Sequence, residues 1–238
     1  MISKKSVFLP VLALFTSISL GALLWTSSDL YGQASKVKTL SNVVEIVQKI
    51  PGEGAARISF RNTSNKSINA LQVSVNGSVF LIEFLDADEP KRRLKPGGVY
   101  EEWFPTTAPR STDVSVVAVV FEDQTGAGDE RLVEEVLETR RGVKKHLLRF
   151  GLLLKQTLDS PNVDSTTLDT LDERVNHPIN DDASDSAGVR LGQRKAQQQI
   201  RHDLEALKRR AKIEPYFDVR KGLNVLATRH DHRVAEIH

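Results

Sequence analysis

The chain of 238 residues contains no cysteine. Disulfides and thiolate metal centres are therefore excluded. So is a lipid anchor of the kind attached at a cysteine. Such a chain must hold its fold by ordinary burial. Charge of one sign is not in surplus: 33 basic residues stand against 31 acidic ones, a net of +2. The chain as a whole is thus no obvious nucleic-acid binder. Aromatic residues are few and uneven. Eleven of the fourteen precede residue 126, and only Phe150, Tyr216 and Phe217 follow it. That division predicts a dense core in the first part and loosely packed or extended helices in the second. Catalytic signatures are also missing. There is no G-x-S-x-G, and Gly126-x-Gly128 lacks the Lys and Ser/Thr of a phosphate loop. The first histidine is His146. No cofactor is expected.

What is present is clearest at the N-terminus. Lys4 and Lys5 precede Val7–Trp25, an uncharged run with 14 apolar side chains. Gly32-Gln33-Ala34 then supplies the small residues that a signal peptidase reads. Residues 1–34 are expected to be a signal peptide cut after Ala34, or an uncleaved membrane anchor. A run of 19 residues is long enough to span a bilayer. Either way the basic start keeps the N-terminus in the cytoplasm and places the remainder outside it.

From about 43 to 121 the apolar residues alternate. Six strands are predicted: 43–49, 56–62, 67–75, 78–85, 99–104 and 113–121. Asn76-Gly77 is a tight-hairpin signal, because both residues tolerate positive φ. Val114–Phe121 is almost continuously apolar, as befits a central strand covered on both faces. Three segments carry a resemblance: Ile58–Ile68 with its Asn62-Thr63-Ser64 turn, Leu94-Lys95-Pro96-Gly97, and Val116–Phe121. Over about 80 residues the chain resembles the immunoglobulin-like or fibronectin-type sandwiches of bacterial exported proteins. The resemblance implies a β-sandwich over 40–125 and an envelope setting, with no implied activity. The count of six strands, one short of seven, is the departure.

Beyond the strands the period becomes helical. Asp129 is a candidate N-cap before a long helix at 129–159, whose apolar positions 133, 136, 137, 143, 147, 150, 154 and 158 share one face. Residues 160–187 read as an acidic polar linker with a short helix at 166–175. Residues 188–238 read as a basic helical region ending in a flexible tail. The fold class is therefore α+β by segregation: a small antiparallel Ig-like β-sandwich followed by an α-helical C-terminal region.

Three side-chain groups invite a functional reading. The helix at 188–212 carries Arg194, Arg201, Lys208, Arg209 and Arg210 among its cations, against only Asp203 and Glu205. These could contact an anionic partner such as a membrane surface or an acidic polymer. The commoner reading of such a face is solvation and pairing with the acidic linker before it. Asp123 and Asp129 flank two glycines in the 122–129 loop, an oxygen-rich turn that could suit calcium. The bland reading is a strand-to-helix connection with a cap. His230 and His232 could ligate a metal, but would do so from a tail. The reading that results is an exported, extracytoplasmic protein with a non-catalytic binding or structural role. Its expected partner is a protein or an envelope polymer, with no nucleic acid, and with membrane contact only through an uncleaved leader. The alternative is a calcium- or metal-dependent hydrolase or lectin using the 122–129 loop. A third possibility is a coiled-coil-like assembly surface built from the two long helices.

Overall fold

The computed structural model describes residues 40–84, 93–107, 111–176 and 184–237. The expected export segment, with its expected cleavage after Ala34, lies outside the described residues, as do 177–183 of the acidic stretch. Among the described residues seven strands precede four α-helices. The strands are β1 (Val44–Pro51), β2 (Ala55–Asn62), β3 (Ile68–Val75), β4 (Ser78–Glu83), β5 (Val99–Pro105), β6 (Val114–Phe121) and β7 (Gly126–Gly128). The helices are α1 (Glu130–Leu158), α2 (Ser165–Asn176), α3 (Ala187–Ile213) and α4 (Val219–Glu236).

The strands form two antiparallel sheets, ordered β1-β2-β5 and β4-β3-β6-β7. Alternation puts Ile58 and Phe60 of one sheet against Leu71, Val73 and Val119 of the other in a single core. Edge-to-face rings close it: Phe80 meets Phe104 at 5.4 Å, and Phe84 meets Tyr100 at 4.9 Å. The β3–β4 hairpin turns on Asn76 and Gly77, with φ of 50° and 83°. These are the positive values a two-residue turn of this kind requires.

The continuous apolar run of β6 has the predicted explanation. Val116, Val119 and Phe121 face the sandwich, while Val117, Ala118 and Val120 face the first half of α1. Helix α1 thus covers the outer side of the four-stranded sheet. Buried Gln72 donates from Nε2 to Leu132 O across that interface at 3.1 Å. Buried Arg140 donates to Glu83 Oε1 and to Asn69 O, both at 3.2 Å.

Several expectations are corrected. A seventh strand, β7, occupies part of the 122–129 loop. Its glycines allow that: a Cβ on Gly128, at φ 101°, would lie 2.3 Å from Val117 O. The helices are not loosely packed. The second half of α1 contributes Leu147, Phe150 and Leu154 to a core shared with α2, α3 and α4. The short helix expected within 160–187 is present as α2, but it is no linker element: its Leu168, Leu171 and Val175 are buried in that core. The residues after 229, expected as a tail, continue α4 to Glu236, and Ile237 beyond it is 5% exposed. The faces of α1 and α3 expected to serve assembly pack on each other. A Cβ on Gly142 would meet Val189 O at 2.0 Å, and one on Gly192 would meet Thr139 O at 1.9 Å. Helix α1 therefore packs its first half on the outer side of the sheet and its second half in the helical core, and so joins the two.

Candidate functional site

The acids of the 122–129 loop are already engaged. Glu122 pairs with Arg93. Asp123 Oδ2 accepts from Lys66 Nζ at 2.7 Å, and its Oδ1 accepts from Thr125 N at 3.1 Å and Thr125 Oγ1 at 2.5 Å. The Lys66 and Thr125 hydrogen bonds hold the Asp123 carboxyl at about 2, well below its ordinary value. Asp129 is the N-cap of α1, accepting from Leu132 N at 3.2 Å. Among the described residues no three His, Asp or Glu side chains converge on a point where they could hold a metal. The loop is a hairpin turn and a cap.

His230 and His232 do not come together. Residues two apart on a helix point to different sides. His230 is 2% exposed, with its ring edge-on to Phe150 at 5.2 Å. Its Nε2 lies 3.6 Å from Asp203 Oδ2, too far for a hydrogen bond, and neither ring nitrogen has a hydrogen-bond partner among the described residues. His232 is exposed. Asp203 also lines a groove of about 460 Å³ between α3 and α4, together with Leu207, Phe217, Lys221, Val225 and Arg229. The groove lining carries no serine, threonine or cysteine. An Asp–His pair without a nucleophile does not make a hydrolytic triad.

The basic residues of α3 divide by environment. Lys208 reaches Asp169 at 2.9 Å and Asp172 at 2.7 Å, so α2 neutralises it. Arg210 pairs with Glu214 at 3.0 Å and stacks over Phe217 at 4.7 Å. Arg194, Arg201 and Arg209 are exposed and pair with no acid among the described residues. Pairing with the acidic stretch thus holds for Lys208 alone of the five. Asp185, in the same stretch, pairs instead with Lys145 at 2.9 Å.

The sandwich carries the other notable surface. Strand β5 is an edge strand with burial alternating along it. Phe104 points inward, while Val99 and Trp103 are 52% and 54% exposed. Trp103 lies opposite Arg57 of β2, whose guanidinium sits 5.7 Å from the ring. Arg57 Nη1 pairs with Glu101 at 3.3 Å. The Trp103 N–H is taken by its neighbour's side chain, Glu102 Oε1, at 3.0 Å. Sequence reasoning missed Trp103. The available signal was an indole on the phase of Val99-x-Glu101-x-Trp103, opposite to that of inward Phe104.

No protein-family model, no curated protein and no solved structure matches this chain. Among the described residues no helix is long and apolar enough to cross a membrane.

Proposed function

We propose that the protein is an exported, non-catalytic binding module whose β-sandwich recruits a partner along strand β5. The observation that carries this reading is the outward pair Val99 and Trp103 on a strand that, among the described residues, is hydrogen-bonded to β2 on one side only. Large apolar side chains in water are costly and often mark contact sites. An edge strand offers main-chain groups to an added strand, and alternate side chains select its sequence. Glu102 holds the Trp103 N–H until a carbonyl of the partner replaces it. The Arg57–Glu101 ion pair borders the indole at 3.3 Å, and Arg61–Glu45 at 3.2 Å lies at the Val99 end of the same face, so the surface has a polar rim.

An immunoglobulin-like assignment of the sandwich is supported by its strand order. In the constant-type order the first, second, fifth and fourth strands form one sheet and the third, sixth and seventh the other. Here β1-β2-β5 and β3-β6-β7 agree, and β4 lies beside β3 instead of β5. The leader pattern at 1–34 supports export, and mass spectrometry finding Ser35 as the N-terminus would establish release.

The test of the binding role places a photo-crosslinking amino acid at Val99, with Asn224 as an exposed control site. The reading requires an adduct from Val99 in the native host that disappears with Trp103→Ala. Equal adducts from both sites, or an adduct insensitive to Trp103→Ala, would remove it.

A further inference from the structure

We infer that the end of the α3–α4 hairpin is a docking site for an anionic phospholipid surface. Helices α3 and α4 run antiparallel, as the 3.6 Å approach of His230 to Asp203 shows. A Cβ added at Gly222 would likewise meet Leu207. The short turn 214–218 joins them. Around it the sequence places six cations: Lys208, Arg209, Arg210, Lys212, Arg220 and Lys221. The fold uses three of them internally. Lys208 pairs with α2, and Arg210 pairs with Glu214. Arg220 donates to the carbonyls of Leu158, Ser160 and Pro161 at 2.6, 2.5 and 3.2 Å. Arg209, Lys212 and Lys221 remain exposed, without an acidic partner among the described residues.

Helix electrostatics explains only part of that arrangement. Cations suit the last turn of α3, where Lys212 lies with Arg209 just before it, but Lys221 lies in the first turn of α4, where the helix dipole disfavours a positive charge. Beside these cations stand Ile213 and Tyr216, 75% and 98% exposed. Tyr216 is not on a frayed end. The turn is closed by Phe217 N to Glu214 O at 3.1 Å, and Asp218 caps α4 through Lys221 N at 2.9 Å. The turn therefore holds the phenol ring outward.

A soluble polyanion would use the cations and leave Ile213 and Tyr216 in water. A bilayer interface uses both. Tyrosine sits at headgroup depth with its hydroxyl hydrated, and aliphatic side chains enter the acyl boundary. Each basic residue near an anionic surface adds roughly fivefold to partitioning.

The absence of cysteine makes the test direct. In the full chain, Tyr216→Cys is labelled with a polarity-sensitive fluorophore, and Glu53→Cys, in an exposed sandwich turn, serves as control. Each is mixed with vesicles of phosphatidylcholine alone or of phosphatidylcholine with equimolar phosphatidylglycerol. The label reports only its own surroundings, so capture of the chain through another segment does not mimic the result. The expected outcome is a blue shift at position 216 only, with anionic vesicles only, and lost at about 1 M salt. Adding Lys212→Gln or Lys221→Gln should lower the apparent partition coefficient by roughly fivefold each. Ile213→Ser should lower it without changing its salt dependence. No shift at 216 with anionic vesicles overturns the inference. An equal shift with soluble polyphosphate overturns it too, leaving an electrostatic polymer site.

Discussion

The α1–α3 crossing makes a prediction in which one substitution has opposite signs at two places on the same helix. Replacing glycine by alanine in a helix interior gains about 1 kcal/mol from propensity. At Gly151 nothing lies within 4 Å of the new Cβ, so Gly151→Ala should raise stability by up to about 1 kcal/mol. At Gly142 the new Cβ would lie 2.0 Å from Val189 O, against an ordinary contact of about 3.5 Å. That oxygen belongs to the backbone of α3 and cannot rotate away, so α1 and α3 must separate by about 1.5 Å at the crossing. Gly192→Ala meets the same obstacle from the other side, at Thr139 O. Overpacking of this kind costs about 3 kcal/mol, and the propensity gain leaves a net loss of about 2 kcal/mol. The two α1 variants should therefore differ by about 3 kcal/mol in denaturant unfolding followed by far-ultraviolet circular dichroism, with unchanged m-values. If Gly142→Ala matched Gly151→Ala in stability, the close crossing would be refuted, and with it the single core shared by α1 and α3.

Other consequences are as specific. Burial, reinforced by the nearby Arg149 charge, depresses the His146 imidazole from 6.5 to about 4. The folded state then binds fewer protons than the unfolded one between those values. Its stability contribution is complete above about pH 6.5 and is lost as pH falls toward 4, by about 3 kcal/mol. His146→Phe should flatten that slope in denaturant titrations run across the range; an unchanged slope would assign the acid sensitivity elsewhere. Asn62 is fully buried, with Nδ2 bonded to Lys66 O at 2.8 Å and Leu94 O at 2.7 Å, and Oδ1 accepting from Ser64 N at 2.9 Å. Asn62→Ala should cost about 3 kcal/mol, and protein made in a glycosylating host should carry no glycan at Asn62 by peptide mass mapping. Arg140→Ala strips donors from Asn69 O and Glu83, and should cost about 2 kcal/mol. A loss under 0.5 kcal/mol would mean that the clamp between α1 and the sheet is idle.

Local rules read much of this fold correctly because each relevant signal was confined to a few neighbouring residues. Asn76-Gly77 fixed a hairpin, Asp129 fixed a helix start, and the unbroken apolar run of β6 implied cover on both faces. The failures have a common physical origin. Strand β7 is Gly126-Ala127-Gly128, which lacks the side chains that an alternation would need, and its identity rests on close approach to Val117 O and Val133. Helix α2 matches the short helix expected at 166–175, but half of its residues are Ser, Thr or Asp, and that composition hides the burial of Leu168, Leu171 and Val175 in the helical core. The segment containing His230-Asp231-His232 reads as a tail because its composition is polar. Its burial depends on Phe150, eighty residues away in the chain.

The same contrast applies to the charged surface, with a different consequence. A sequence shows how many cations α3 carries, but surface charge acts on a partner only after the fold has neutralised what it can. Lys208 is matched by two aspartates of α2, residues that composition assigned to a linker. Arg210 is matched within its own helix end. Arg194 and Arg201 also survive, farther back along α3; at the hairpin end what survives is Arg209, Lys212 and Lys221, three charges split between two helices and brought together by a five-residue turn. Tyr216 and Ile213 acquire meaning by the same route. In the sequence they follow a run of helical residues and flank Pro215 as ordinary turn material. In the fold they are the most exposed large apolar side chains of the described residues, and they stand where the unmatched cations are. The α3 cations alone would favour any polyanion. Their coincidence with two solvated apolar residues selects a surface with both charge and an apolar interior.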